Sequence, residues 1–424
     1  MAYFKSPEIS KSPARSGTDY LDPSRSELVN HYKTEATKIP GHDIGDFLTK
    51  SFWSFAYHYV KSRFGRNHPY PSYQLPESGV YELTTESEIS IAITSDWATD
   101  TPDSYAVARQ MKAQEPDYTI HVGDTYYVGA PSEIMSNFVE EGSPWVRGNS
   151  GSFAVLGNHE MYARGDAFFE RLLPTLGLRN TAGAYIGQKA GYFCLQTKHW
   201  RILGLDTGYH STGKPVLEFI PGLAPDCRFD DTQMEWLAKT VNLGNPADKR
   251  GILILTHHQY ITAFSKEPEF SKPAQQLASL LGPERSILWL WGHEHKLAFY
   301  QKVQIDEGVS VHGRCIGNGG TPIEISSKNF TTDARKSGYP VLVAVDKRFQ
   351  KTVKNNPLGF NGYVVMKLAS ETLTIAYYDN LSYLLTEKWT VDDQTGTTRG
   401  EIPELPDGKL DLVEGKSWAN AVGA

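Results

Sequence analysis

Leu255-Thr256-His257-His258 and Trp291-Gly292-His293-Glu294-His295 decide how this chain is read. Each ends an apolar run, Ile252-Leu253-Ile254-Leu255 in the first case and Ile287-Leu288-Trp289-Leu290 in the second. Short apolar runs without alternation read as strands buried on both faces of a sheet. Polar groups just past the C-terminal ends of such strands fall where α/β sheets hold their ligands. A lone histidine in that place is usually structural. Several converging on one rim point to metal, because imidazole suits zinc, iron and copper.

Upstream, three more strands end in the same kind of group. Ile89–Thr94 runs into Ser95-Asp96-Trp97-Ala98, and Tyr118–Val122 into Gly123-Asp124-Thr125-Tyr126-Tyr127. Ser152–Leu156 ends in Gly157-Asn158-His159-Glu160. Helical patterns over 103–114 and near 131–140 separate them. Strands alternating with helices imply a largely parallel sheet with covered faces. A hairpin is expected over 191–206, with its turn near Lys198, and a helix over 231–242. Beyond His295 the texture turns to β, with strands expected at 297–304, 309–316, 362–368, 371–378 and 383–390.

The chain has 424 residues, 40% hydrophobic and 21% charged, enough for a sizeable core. Its net charge of −7 argues against a nucleic-acid or anionic-membrane surface. Cys194, Cys227 and Cys315 are widely spaced and odd in number, a poor disulfide framework that suits a reducing compartment. The polar N-terminus has no apolar signal core. No run approaches the roughly 20 apolar residues of a membrane helix. A cytoplasmic protein without a membrane span is the expectation.

Three regions are expected. Residues 1–85 hold a polar arm (1–41) and a helix from about Asp43 to Phe64, whose apolar residues Ile44, Phe47, Leu48, Phe52, Phe55 and Tyr59 recur at helical spacing. Residues 86–395 form the catalytic domain. Residues 396–424, rich in Pro, Gly and charge, read as a tail on the surface.

Asp96, Asp124, Asn158, His257, His293 and His295 together exceed the needs of one four-coordinate ion. They suit two ions sharing a carboxylate, the clamp used for in-line displacement at phosphorus. Taken singly, a strand-end aspartate often only caps the next helix, and an asparagine there can serve a turn. Those readings would have to hold together at several ordered places. His258 and His121 read as structural or supporting groups. Gly317-Asn318-Gly319-Gly320 reads as a turn, since it lacks the Lys-Ser/Thr that follows a phosphate loop.

In this order, Ser95-Asp96-Trp97-Ala98, Gly123-Asp124-Thr125-Tyr126-Tyr127, Gly157-Asn158-His159-Glu160, the His257 element and Gly292-His293-Glu294-His295 resemble the five motifs of calcineurin-like metallophosphoesterases. The resemblance implies a four-layer α/β/β/α sandwich, here with an N-terminal helical extension. Many members have Asp-x-His in the first motif, where this chain has Ala98. The second motif, Gly-Asp-x-x-Tyr, is similar to that of purple acid phosphatases, in which the tyrosine binds ferric iron as phenolate.

The resemblance gives the first metal Asp96, Asp124, Tyr127 and His295, and the second Asp124, Asn158, His257 and His293, with Asp124 bridging. Tyr126 is the alternative to Tyr127 if the loop differs. His159 matches the histidine that assists the leaving group. The implied cofactor is Fe(III) with a divalent Fe, Zn or Mn ion, or an all-divalent pair. The loop from Gln259 to Lys272 has no further histidine; Lys266 is its mid-loop cation, and His210 could supply a substrate contact.

The expected function is hydrolysis of small phosphomonoesters by a metal-held hydroxide attacking in line. The alternatives are a phosphodiesterase for nucleotide or glycerol phosphodiesters, and a non-catalytic scaffold on the same fold. No nucleic-acid partner is expected, and oligomeric state is left open.

Overall fold

The computed structural model describes residues 66–83, 88–212, 227–282, 285–305, 308–326, 328–404 and 410–423. The expected arm and helix within residues 1–64 lie outside them.

After β1 (Val80–Glu82), strands alternate with helices: β2 (Ile89–Thr94), α1 (Pro102–Ala113), β3 (Tyr118–His121), α2 (Pro131–Ile134), β4 (Gly151–Ala154) and α3 (Asn158–Met161). A short β5 (Gly177–Leu178) leads to the hairpin of β6 (Phe193–Gln196) and β7 (Trp200–Leu205). Then come α4 (Asp231–Lys239), β8 (Gly251–Thr256), α5 (Ser271–Leu280) and β9 (Ser286–Trp291). The remainder is mostly β: β10 (Leu297–Gln304), β11 (Ser310–Ile316), β12 (Leu342–Val345), β13 (Lys351–Val353) and β14 (Asn356–Leu358). β15 (Gly362–Ala369), β16 (Thr372–Asp379), β17 (Tyr383–Val391), β18 (Thr398–Glu401), β19 (Asp411–Leu412) and α6 (Trp418–Val422) complete it.

Two large sheets result. One has the order β1-β6-β7-β8-β9-β11-β10-β12-β19 and the other β18-β17-β16-β15-β2-β3-β4-β5. β7, β8, β9 and β11 run parallel in the first sheet, and β2, β3 and β4 in the second. The parallel strands therefore deliver their C-terminal ends to one rim in each sheet.

The apolar runs explain the layers. Leu253 and Leu255 point into the central core, while Ile252 and Ile254 point into the outer core. In β9, Leu288 and Leu290 face inward and Ile287, Trp289 and Trp291 outward. In β2, Ile91 and Ile93 face the centre and Ala92 the opposite outer layer, where Val107 and Met111 of α1 cover it. Both faces of each sheet are thus dry, and the four-layer α/β/β/α sandwich follows. α1 starts where Thr101 Oγ1 accepts from Ser104 N at 3.3 Å and Pro102 opens the helix.

The last segment departs from the expected surface tail. β18 pairs with β17, and α6 sets Trp418, Ala421 and Val422 into the central core. A five-residue helix is too short to leave a periodic signal, and the flanking polar residues mask its apolar ones. Among the described residues, no helix is long and apolar enough to cross a membrane.

Candidate metal centre

The two rims meet through backbone and side-chain contacts between the sheets. His293 N donates to Asp96 Oδ2 at 2.9 Å, joining the loop after β9 to the loop after β2. His257 Nδ1 lies 2.9 Å from the Val122 carbonyl, joining β8 to β3. Since that carbonyl only accepts, Nδ1 carries the hydrogen and Nε2 is left as a lone-pair donor to a metal. Four non-glycine residues here adopt left-handed backbone: Asp96 (φ 57°), Asp124 (φ 70°), His293 (φ 65°) and His295 (φ 40°). Such conformations cost about 1–3 kcal/mol each and concentrate at functional sites.

Glycine lets the loops approach this closely. A Cβ at Gly157 would stand 2.2 Å from Asp124 Oδ1, and one at Gly292 2.5 Å from Asp96 Oδ2. Glu160 fixes the two loops from behind. Its carboxylate accepts from Asp124 N at 3.2 Å, Thr125 Oγ1 at 2.8 Å and Gly157 N at 3.0 Å.

Asp124 sits at the middle. Its Oδ2 lies 3.1 Å from His257 Nε2, 3.3 Å from Tyr126 Oη and 3.7 Å from His159 Nε2. Asn158 Oδ1 is 3.2 Å from the same His257 Nε2. Asp96 Oδ1 lies 3.0 Å from Tyr126 Oη and 3.4 Å from His295 Nε2. The rings of His257 and His293 have centroids 5.3 Å apart. The structure therefore brings Asp96, Asp124, Asn158, His257, His293 and His295 together, and with them a tyrosine.

That tyrosine is Tyr126, the alternative of the sequence reading. Its hydroxyl also lies 2.7 Å from His295 Nε2. Tyr127 instead lines the cleft, and its backbone is used: its N–H donates to Glu133 Oε1 at 2.6 Å, and its carbonyl faces His159 Nδ1 at 2.6 Å. That contact again leaves Nε2 of His159 as the ring nitrogen turned to the centre. His210 is paired with Asp230 at 2.9 Å and is not among the cleft-lining residues. Lys266 is exposed and reaches Asn329 Oδ1 at 3.0 Å.

The donor set fits metal. Asp96, Asp124 and His257 each offer an atom within 4.8 Å of the others, as do His257, His258 and His293. Asp96 and Asp124 are buried, and among the described residues the groups found against them are imidazoles, hydroxyls and backbone N–H, with no Lys or Arg. Burial acts to raise the Asp124 carboxyl, but the imidazoles of His159, His257 and His293 outweigh it and hold it well below the usual range. Burial likewise acts to lower His257, yet Asp124 and Asp96 push it up to about 10. A proton on His257 thus stands where buried carboxylates demand positive charge, a demand that metal cations would meet.

A cleft of about 670 Å³ opens over this centre. Its cation is Lys296, buried, with Nζ 2.9 Å from Glu267 Oε1 and 2.8 Å from the Glu294 carbonyl. Sequence reasoning passed over Lys296, although it directly follows His295. Tyr162 adds a hydroxyl that accepts from Asn158 Nδ2 at 3.0 Å and so orients that carboxamide.

Residues 89–297 match the family model described as calcineurin-like phosphoesterase. All five motifs lie within that span, and the match supports placement in this superfamily and phosphoester hydrolysis with bound metal as the general activity. No curated protein matches the chain. Among solved structures, it is similar to GAP50, titled the anchor in the inner membrane complex of Plasmodium (10% identity, TM-score 0.44, 74% of this chain and 91% of that one). It is also similar to a predicted phosphoesterase from Streptococcus pneumoniae (9% identity, TM-score 0.26, 75% and 99% covered). A third is vacuolar protein sorting 29 from Cryptosporidium parvum (10% identity, TM-score 0.25, 75% and 98% covered).

Proposed function

We propose that this protein hydrolyses small phosphomonoesters at a two-metal centre of the purple acid phosphatase kind. The observation that carries the reading is the meeting of Tyr126 Oη with Asp96, Asp124 and His295 beside the Asn158–His257 pair. Asp96, Asp124, Tyr126 and His295 would hold one ion; Asp124, Asn158, His257 and His293 would hold the other. When bound, such a pair supplies positive charge to the phosphoryl oxygens and makes water a competent nucleophile near neutral pH.

The chain's own groups do the rest. Val122 orients His257, Tyr162 orients Asn158, and Glu160 fixes the backbone of Asp124. His159 keeps its Nδ1 on the Tyr127 carbonyl and presents Nε2 near Asp124, where it can hand a proton to, or hydrogen-bond with, the departing alkoxide. Lys296 and the flanking Glu267 limit how much anionic charge the cleft wall accepts, which favours a compact substrate over a nucleic-acid backbone.

The test is paired hydrolysis of an aryl phosphomonoester and a bis-aryl phosphodiester, with Asp124→Asn as control. Faster turnover of the monoester is expected. Preference for the diester would move the protein to the phosphodiesterases. No turnover of either by metal-loaded protein would favour the scaffold reading. Purple colour in air-purified protein is expected of a ferric phenolate; colourless, fully active dizinc protein would reject iron.

A further inference from the structure

A second cavity, of about 440 Å³, lies at the other end of the molecule from the metal centre. Ser286 and Ser310, the first residues of the parallel strands β9 and β11, pair in register on its wall. The metal-centre histidines follow the opposite end of β9, the first of them seven positions on from Ser286 and so roughly 20 Å away along the strand. From the other sheet, β18 brings Thr398 and Arg399; Thr398 Oγ1 donates to Ser286 Oγ at 3.0 Å. Lys302 and His312 face each other across β10 and β11 and also line it. The turn after α6 closes it, with Gly423 at φ 75°, where a Cβ would stand 3.1 Å from His312 Cε1 and 3.8 Å from Lys302 Cβ.

The chemistry of this cavity is the reverse of the chain's. The protein carries a net charge of −7, and its catalytic cleft is lined by Asp124, Glu267, Glu294 and Glu324. Among the described residues, the second cavity has Lys302 and Arg399 and no lining carboxylate. Neither cation forms an ion pair with a carboxylate among the described residues. His312 is buried and Nδ1 has no hydrogen-bond partner. Burial, aided by the positive fields of Arg314 and Lys302, holds its ring neutral, with the pKa lowered to about 3. Hydroxyl donors and two cations unpaired among the described residues match the needs of an oxyanion carrying several acceptor oxygens. The volume exceeds what one oxyanion fills.

We propose that this cavity is a second ligand site, distinct from the metal centre, that binds the phosphate group of a small phosphorylated molecule through Lys302, Arg399 and the hydroxyls of Ser286, Ser310 and Thr398. Two cations meet a charge near −2, and the hydroxyls supply directed hydrogen bonds. The remaining volume accommodates an organic part of sugar-phosphate size. Because the site stands apart from the catalytic rim, its occupancy reports on ligand level without competing for the metals.

Crystals of the full chain soaked in tungstate, a phosphate-shaped anion, test the placement by anomalous scattering. A peak beside Ser286 and Ser310 is expected in the wild type and absent in Lys302→Gln/Arg399→Gln. Both substituted side chains are exposed, and unchanged turnover of an aryl phosphate would show that the variant folds. Calorimetric titration of Asp124→Asn protein reads affinity, with hydrolysis abolished. The added Lys302→Gln/Arg399→Gln pair should weaken one binding event at least ~10-fold. Glycerol phosphate binding more tightly than inorganic phosphate at that event marks an organic phosphate as the occupant; equal affinities mark free phosphate. Tungstate only in the catalytic cleft, or affinities that the two substitutions leave unchanged, would overturn the proposal.

Discussion

The hydroxyl of Tyr126 lies 2.7 Å from His295 Nε2 and 3.0 Å from Asp96 Oδ1, although Tyr127 is the tyrosine at the spacing the motif favours. The loop after β3 turns the first of two adjacent rings inward. It gives the second ring to the cleft wall and uses its backbone to hold His159. Burial, then Asp96 and Asp124, keep the Tyr126 phenol well above its ordinary pKa, so the free protein holds it neutral.

The two tyrosines should therefore separate on substitution. Tyr126→Phe is expected to lower metal content and to cut kcat/KM for an aryl phosphate by ~10–100-fold, the cost typical of disturbed metal sites. Tyr127→Phe should stay within about threefold, since it is the Tyr126 hydroxyl that stands against Asp96 and His295. Metal analysis with steady-state kinetics decides it, and equal losses from both would remove Tyr126 from the ligand set.

His159 should act on the leaving group while leaving the metals in place. His159→Ala is expected to cost ~10²–10⁴-fold in kcat with an alkyl phosphate. With a nitrophenyl phosphate, whose leaving group needs little protonation, the loss should be markedly smaller. A uniform loss across leaving groups would instead mean that the ring only positions substrate.

Asp206 should make stability fall with pH. Burial raises its carboxyl from 3.8 to about 7, against the N–H bonds from Tyr209 and Gly208 that act to lower it. The folded state therefore binds a proton that the unfolded chain has already lost. This contribution to stability is fully present below about pH 4 and lost as pH rises through 7, at up to about 1.4 kcal/mol per pH unit. Asp206→Asn should flatten urea-unfolding stability between pH 4 and 8; an unchanged slope would place the titration elsewhere.

The C-terminal segment should prove indispensable. Arg314 is buried, pairs with Glu387 at 2.8 Å and donates to the Ala421 carbonyl at 2.8 Å. Trp418 packs edge-on against Phe299 with centroids 5.3 Å apart. Trp418→Ala is expected to destabilise by about 3–5 kcal/mol, as for other large core truncations. Chemical denaturation gives the value, and a loss below about 1 kcal/mol would return the segment to the surface.

Much of this was legible early. The apolar runs 252–255 and 287–290 named the central strands, because a sheet covered on both faces needs no alternation. The polar groups after each parallel strand named the rim, because parallel strands share a direction. Harder to see were Tyr126, Lys296, the backing role of Glu160 and the core packing of α6. Each depends on how a loop or short turn bends, and neither periodicity nor composition encodes that.

The sequence by itself determined strands β2 to β4, β6 to β11 and β15 to β17, the alternation of the first of them with helices, and the kinds of ligand placed at the parallel strands' ends. Those properties are local: they follow from side-chain periodicity and from which residue comes next in the chain. Only the tertiary structure decided which groups meet. The bond from His293 N to Asp96 spans 197 positions and joins separate sheets. The second cavity likewise draws its cations from β10 of one sheet and β18 of the other. Contacts of that separation are set by packing the two sheets over a common core, where the burial of many apolar side chains together fixes positions that no single stretch of chain specifies.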